Sequence, residues 1–133
     1  MATIRKVIDV SAPATQVWDV IRDVGAVHTR FAPGFVLDTV LEEGARVVKF
    51  ANGMNIREVI VGVDENLKRL AYSATGGSTQ HHNASFEVIE LAPGRTRIVW
   101  TADVLPEPTA KVIDGMMEAG SAVILRTLSQ RAR

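Results

Sequence analysis

Residues 79–128 read TQHHNASFEVIELAPGRTRIVWTADVLPEPTAKVIDGMMEAGSAVILRTL. Two periodicities meet in this stretch. On its first half, His82, Ala84, Phe86 and Val88 fall on alternate positions. After the turn signal Pro93-Gly94, Ile98, Trp100 and Ala102 do the same, against Arg97, Val99, Thr101 and Asp103. A repeat of two puts successive side chains on opposite faces and predicts strands over 79–90 and 95–104. Pro106-Glu107-Pro108 breaks that pattern. Beyond it Val112, Ile113, Met116, Met117, Val123, Ile124 and Leu128 recur at helical spacing. The stripe is wide, so the helix is expected to lie across a sheet rather than stand free. Gly115 and Gly120 inside it cost roughly 1 kcal/mol each against Ala. They either let the sheet come close or mark a bend. Glu107, Asp114 and Glu118 precede Arg126, Arg131 and Arg133, an order that complements the helix dipole.

Working back towards the N-terminus, runs rich in Val, Ile, Thr and aromatics predict strands near 3–10, 35–42, 45–51, 54–63 and 68–75. The last six of the seven strands are joined by short connections and should pair as an antiparallel meander. Asn52-Gly53 is the sharpest turn signal and predicts a type I′ hairpin. Gly76-Gly77-Ser78, with no P-loop lysine or following helix, predicts another hairpin turn. Val17, Val20, Ile21 and Val24 follow Ser11, a potential N-cap, at helical spacing, and Gly25 can end that helix. A short helical piece is expected over 25–31. The fold class is therefore α+β: a seven-stranded curved antiparallel sheet gripping a long C-terminal helix, with one or two short helices after the first strand, in one domain over 1–133.

The 133 residues carry 15 Lys+Arg and 15 Asp+Glu, no Cys and 47% hydrophobic residues. Without cysteine, disulfides and thiolate zinc sites are excluded. A zero formal charge argues against a nucleic-acid footprint. No window has the apolar length of a membrane span, and no signal peptide is legible, so a cytoplasmic location is expected. His81 and His82 are strand neighbours pointing to opposite faces, so no metal site and no cofactor is expected.

At this point the residues resemble a family. Ile8-Asp9-Val10-Ser11-Ala12-Pro13 with Val17-Trp18 looks like the start of the START-like, birch-pollen-allergen-like helix-grip superfamily (SRPBCC). Phe50-Ala51-Asn52-Gly53, Arg57-Glu58, Arg69-Leu70-Ala71-Tyr72-Ser73, His81-His82-Asn83 and Thr96-Arg97-Ile98-Val99-Trp100 are similar to its polyketide cyclase/dehydrase-like branch. The resemblance covers essentially the whole chain. It implies a cavity between sheet and helix for a hydrophobic or amphipathic ligand, lipid- or polyketide-like. It also implies that region 31–35 borders the cavity entrance. It does not carry over catalytic residues, so function has to be argued from the site.

Alternation assigns the even-numbered strand residues to the concave face. Phe50, Ile56, Phe86 and Trp100 would form an apolar wall, interrupted by Glu58, Tyr72 and His82. Phe31 and Phe35 flank Pro33-Gly34 near the mouth, and Ile113, Met116 and Met117 face the wall from the helix. A mostly apolar lining with a few placed polar groups has the composition of a ligand pocket. With only seven aromatics in the chain, open space is expected inside. Each polar group has two readings. Glu58 is either a buried acid whose pKa burial would raise, or a structural partner of Arg46 or Lys49 near a strand end. Tyr72 is a ligand donor or core filler, and His82 a proton acceptor or a structural residue. Three functions follow: a small-molecule binding module; a polyketide cyclase or dehydratase using Glu58, Tyr72 or His82; or a regulatory or interaction protein without catalysis. The protein is expected to be a monomer or a homodimer.

Overall fold

The computed structural model describes residues 2–76 and 79–131. Seven strands form one antiparallel sheet: β1 (Ala2–Val10), β2 (Val36–Glu42), β3 (Ala45–Phe50), β4 (Asn55–Asp64), β5 (Arg69–Thr75), β6 (His81–Ala92) and β7 (Arg95–Leu105). Each lies within two residues of its expected bounds. Their spatial order is β1-β7-β6-β5-β4-β3-β2. The meander over the last six is as expected, and the first strand closes the sheet against the last, Ile8 opposite Ile98.

Three register shifts bend the sheet, between Val36 and Asp38, Ile60 and Gly62, and Glu90 and Ala92. A bulge adds a residue to one strand only, which kinks it and increases its twist. The concave face collects the even-numbered residues: Val48, Ile56, Leu70, Tyr72, Ala84, Phe86, Val88, Ile98, Ala102 and Val104 are all buried.

Helix α1 spans Ala14–Arg22. It starts three residues after Ser11, with Pro13 at the N-cap and no side-chain cap. Proline's fixed φ suits a helix entry, so the serine is not needed. The helix also ends before Gly25, at Asp23. Gly25 serves packing instead, since a Cβ there would sit 2.8 Å from the Leu41 side chain. The expected second helical piece is a single π-helical turn, Val27–Phe31. Trp18 leans away from the cavity and donates its indole N–H to Glu65 in the β4–β5 turn, which also holds Arg22.

The β3–β4 turn departs from type I′. Gly53 alone has positive φ, +90°, while Asn52 does not. The Gly53 N–H donates to the Phe50 carbonyl, and the Asn52 side chain accepts the Met54 N–H. A three-residue loop with glycine in the left-handed position has this pattern. Of the Gly76-Gly77-Ser78 turn, Gly77 and Ser78 lie outside the described residues, and Gly76 has φ +118°.

Helix α2 spans Ala110–Arg131, after a 3₁₀ turn at Glu107–Thr109. Met117, Gly120, Ile124 and Leu128 are buried, with Ile113 and Val123 packed beside them. Asp114 and Glu118 do not sit in the first turn; both bind Lys6 of β1, at 2.6 and 2.7 Å, and tie the helix to the sheet edge. Arg133 lies outside the described residues. Of the two helix glycines, Gly120 permits close approach. A Cβ there would stand 3.0 Å from Phe35 Cε2 and 3.2 Å from Trp100 Cζ3. Nothing lies within 4 Å of the corresponding point on Gly115.

Candidate functional site

Register decides how the site is assembled. Arg46 of β3 lies opposite Glu58 of β4, and Glu58 lies opposite Ala74 of β5. Tyr72 is opposite Ile60, which makes it the diagonal neighbour of Glu58 on the same face. Phe86 of β6 is opposite Trp100 of β7. The concave face thus carries an aromatic ladder beside one ion pair.

The ion pair is buried on both sides. Arg46 Nε donates to Glu58 Oε1 at 2.7 Å, and Nη1 donates to the Val24 carbonyl at 3.3 Å. The guanidinium also lies 5.5 Å from the centre of the Tyr72 ring, a cation–π contact. Glu58 therefore has Arg46, not Lys49, as its partner, and it stands in the middle of β4 rather than near an end. A buried charge is tolerated when it is paired and hydrogen-bonded.

Tyr72 is fully enclosed. Burial and the neighbouring Glu58 charge push its hydroxyl well above the ordinary tyrosine value, so it stays protonated. Its oxygen accepts the Trp100 indole N–H at 3.1 Å, which leaves its own proton to donate. The ring stacks over Phe86 at 6.1 Å, and Phe86 stacks on Trp100 at 4.7 Å. Phe31 meets Phe86 edge-on at 5.1 Å.

An apolar cavity of about 70 Å³ lies between this wall and α2. Ten of the twelve expected ligand residues line it. Phe35, Phe50, Ile56, Glu58, Tyr72, His82 and Trp100 come from the sheet and the loop before β2, and Ile113, Met116 and Met117 from α2. Phe31 and Phe86 line instead a deeper recess of about 40 Å³, shared with Arg46, Glu58, Tyr72 and Trp100. Phe31 is thus a floor residue, not a mouth residue, because the π-helical turn carries it inward. Outside the cavity an open groove of about 380 Å³ runs past Ala51, Asn52, Gly115 and Ala119. Phe35, Phe50, Val112 and Met116 border both the groove and the cavity.

The expectation of an open interior is overturned in part. The few aromatics are stacked on one another rather than dispersed, and they fill the floor. The remaining space is below the roughly 300–1,000 Å³ of drug-sized ligand sites.

His82 lines the cavity near Thr79, and burial together with His81 lowers its pKa below the ordinary value. It is therefore neutral near pH 7 and able to accept a proton. Met54, Ala74, Gly76, Thr79 and Val112 complete the lining. Alternation already places Met54 and Ala74 on the concave face, and the helical stripe includes Val112. Gly76 and Thr79 flank a turn, where no periodicity signals them. No group of three metal-ligating side chains occurs among the described residues, nor is any helix there long and apolar enough to cross a membrane.

The chain matches, over residues 1–132, the family model described as polyketide cyclase/dehydrase and lipid transport. Its fold is similar to that of solved structures. XoxI from Bacillus cereus superposes with a TM-score of 0.88 at 15% identity, covering 100% of this chain and 99% of that one. A Thermobifida fusca protein solved by NMR is 28% identical with a TM-score of 0.81, covering 99% and 93%. The ZhuI aromatase/cyclase from Streptomyces sp. R1128 is 21% identical with a TM-score of 0.72, covering 98% and 93%. A comparison with curated proteins gives no match.

Proposed function

The chain belongs to the polyketide cyclase/dehydrase and lipid transport family, and on that premise we propose that it binds one hydrophobic or amphipathic small molecule between the sheet and α2. The observation that carries this reading is the continuity of the cleft. An open groove narrows at Phe35, Phe50, Val112 and Met116 into an apolar cavity. Its lining carries the buried Glu58 and Tyr72 and the half-buried His82. A site of this kind takes an apolar body and fixes one end by hydrogen bonds. Met116, with three rotatable bonds, is the adaptable side chain of the narrows, so a longer ligand widens them there on entry.

A second reading is favoured by His82. A neutral imidazole on the wall of an apolar cavity is suited to general acid–base help, worth about 10²–10⁴-fold in rate, of the kind that cyclisation or loss of water from a polyketide-like chain requires. One experiment addresses both. Protein isolated from cell extract is weighed by native mass spectrometry, and then weighed again after incubation with a lipid and polyketide panel. Ligand binding appears as a one-to-one bound species and a raised melting temperature. Catalysis appears as loss of water from the bound polyketide where dehydration occurs, and as a changed ultraviolet spectrum at unchanged mass where only a ring closes. No bound species and no thermal shift with any compound overturns the binding reading.

A further inference from the structure

The charges around the cleft are arranged so that they discriminate between ligand ends. Glu58 lines both the cavity and the deeper recess, whereas Arg46 lines only the recess. Seen from the cavity, the pair therefore presents its carboxylate and hides its guanidinium. Arg46 is committed through Nε to Glu58 Oε1 and through Nη1 to the Val24 carbonyl. Among the described residues Glu58 Oε2 accepts no hydrogen bond. No lysine or arginine contributes to the cavity lining. The one imidazole there, His82, is held neutral by burial. Trp100 has already spent its N–H on Tyr72, which leaves the neutral Tyr72 hydroxyl as a donor beside Glu58.

We propose that the cleft selects an apolar ligand that ends in a hydrogen-bond donor, a protonated amine first and a hydroxyl second, which Glu58 Oε2 accepts, and that it rejects carboxylates and phosphates. This rests on the cleft being the ligand site. An ammonium placed against Oε2 makes a charge-assisted hydrogen bond in water-poor surroundings. An anion in the same position faces the Glu58 carboxylate, finds only the neutral Tyr72 hydroxyl as a donor and no cation in the lining, and forfeits its hydration. Fatty acids and phospholipid head groups are thereby excluded, while amines and alcohols with a compact apolar body fit. The size of the cavity, about 70 Å³, limits the fixed end to roughly one ring or a short chain.

Four probes of nearly equal shape test the proposal: benzylamine, benzyl alcohol, toluene and benzoate. Each is titrated into the full chain at neutral pH and followed by chemical-shift changes of the Trp100 and Tyr72 signals. The expected order is amine, then alcohol, then toluene, with benzoate weakest. Benzylamine should bind at least about tenfold more tightly than benzoate, as a hydrogen bond to a charged group predicts. Glu58→Gln should abolish the preference of amine over alcohol. If that variant does not fold, Arg46→Leu combined with Glu58→Leu removes both charges together and should bind toluene best. Benzoate binding as tightly as benzylamine, or four equal affinities, overturns the proposal and leaves the ligand-binding reading standing. No binding by any probe, toluene included, overturns both.

Discussion

At the floor of the cleft, Phe86 lies between Tyr72 and Trp100 and meets Phe31 edge-on, and both Phe31 and Phe86 are buried. At the mouth, Phe35 and Phe50 also meet edge-on, at 5.5 Å, but both are only partly buried and open onto a groove. The side chains are alike and the surroundings differ. Floor rings are fixed by cross-strand register, Phe86 opposite Trp100, and by the Trp100–Tyr72 hydrogen bond. Of the mouth rings, Phe35 hangs from a loop and Phe50 from the last residue of β3, and both border the cleft with Met116 and Val112 of the helix. The difference separates two tasks: the floor supplies a rigid wall with one polar corner, and the mouth supplies adaptable closure.

The largest effect expected from this contrast is on stability. Phe86→Ala removes a fully packed ring and should cost about 3–5 kcal/mol. Met116→Ala at the mouth should cost less than the ~2 kcal/mol at which fully buried methionine truncations begin. Urea unfolding of the two variants measures both. Equal costs would mean that the mouth is packed as rigidly as the floor, and the division of tasks would fail.

A smaller effect sharpens the same contrast on α2, where the two glycines face different regions. Gly115 borders the groove with no atom near a prospective Cβ. Gly115→Ala should therefore gain roughly 0.5–1 kcal/mol from helix propensity alone. Gly120→Ala brings the same gain, but its Cβ meets Phe35 and Trp100 at 3.0 and 3.2 Å. The rings must give way, so this variant should be less stable than Gly115→Ala. Because Phe35 and Trp100 both line the cavity, it should also bind toluene more weakly. Thermal melts rank the pair, and Gly120→Ala melting as high as Gly115→Ala with unchanged toluene affinity would show that the helix does not press on the site.

The sheet and its concave face were legible in sequence because alternation is a local signal that survives folding. Ile56, Tyr72, Phe86 and Ile98 needed only their parity to be placed. What the chain did not disclose depends on register or on backbone geometry at single residues. Sequence offered Arg46 or Lys49 as the partner of Glu58, and the choice between them requires knowing that β3 and β4 align positions 46 and 58. Phe31 turned inward because residues 27–31 wind as a π-helical turn, which no apolar spacing over five residues distinguishes from an ordinary helical turn. The aromatic count suggested open space, but volume depends on whether rings stack or spread, and composition is silent on that.

The smallest effect concerns His82, which stands half-buried on the cavity wall between the two regions. Burial favours its neutral form and lowers its pKa from the ordinary 6.5. The unfolded chain consequently takes up this proton before the folded one does as pH falls. Stability is lost as pH drops through 6.5 towards the folded value and levels off below it, while above neutrality the group contributes no pH dependence. Asp9 and Asp19 have carboxyl pKa values lowered from 3.8 by Arg97 and Arg30, so their losses begin only in more acidic solution and the two windows separate. Urea midpoints measured between about pH 8 and 5 should decline for the natural chain and decline less for His82→Gln, with the two curves parallel above neutrality. A ligand filling the cavity displaces water from the imidazole and should move the decline to still lower folded pKa, steepening the loss of affinity in acid. Identical curves for the two chains would place His82 in contact with bulk water, on the mouth side of the divide rather than at the wall.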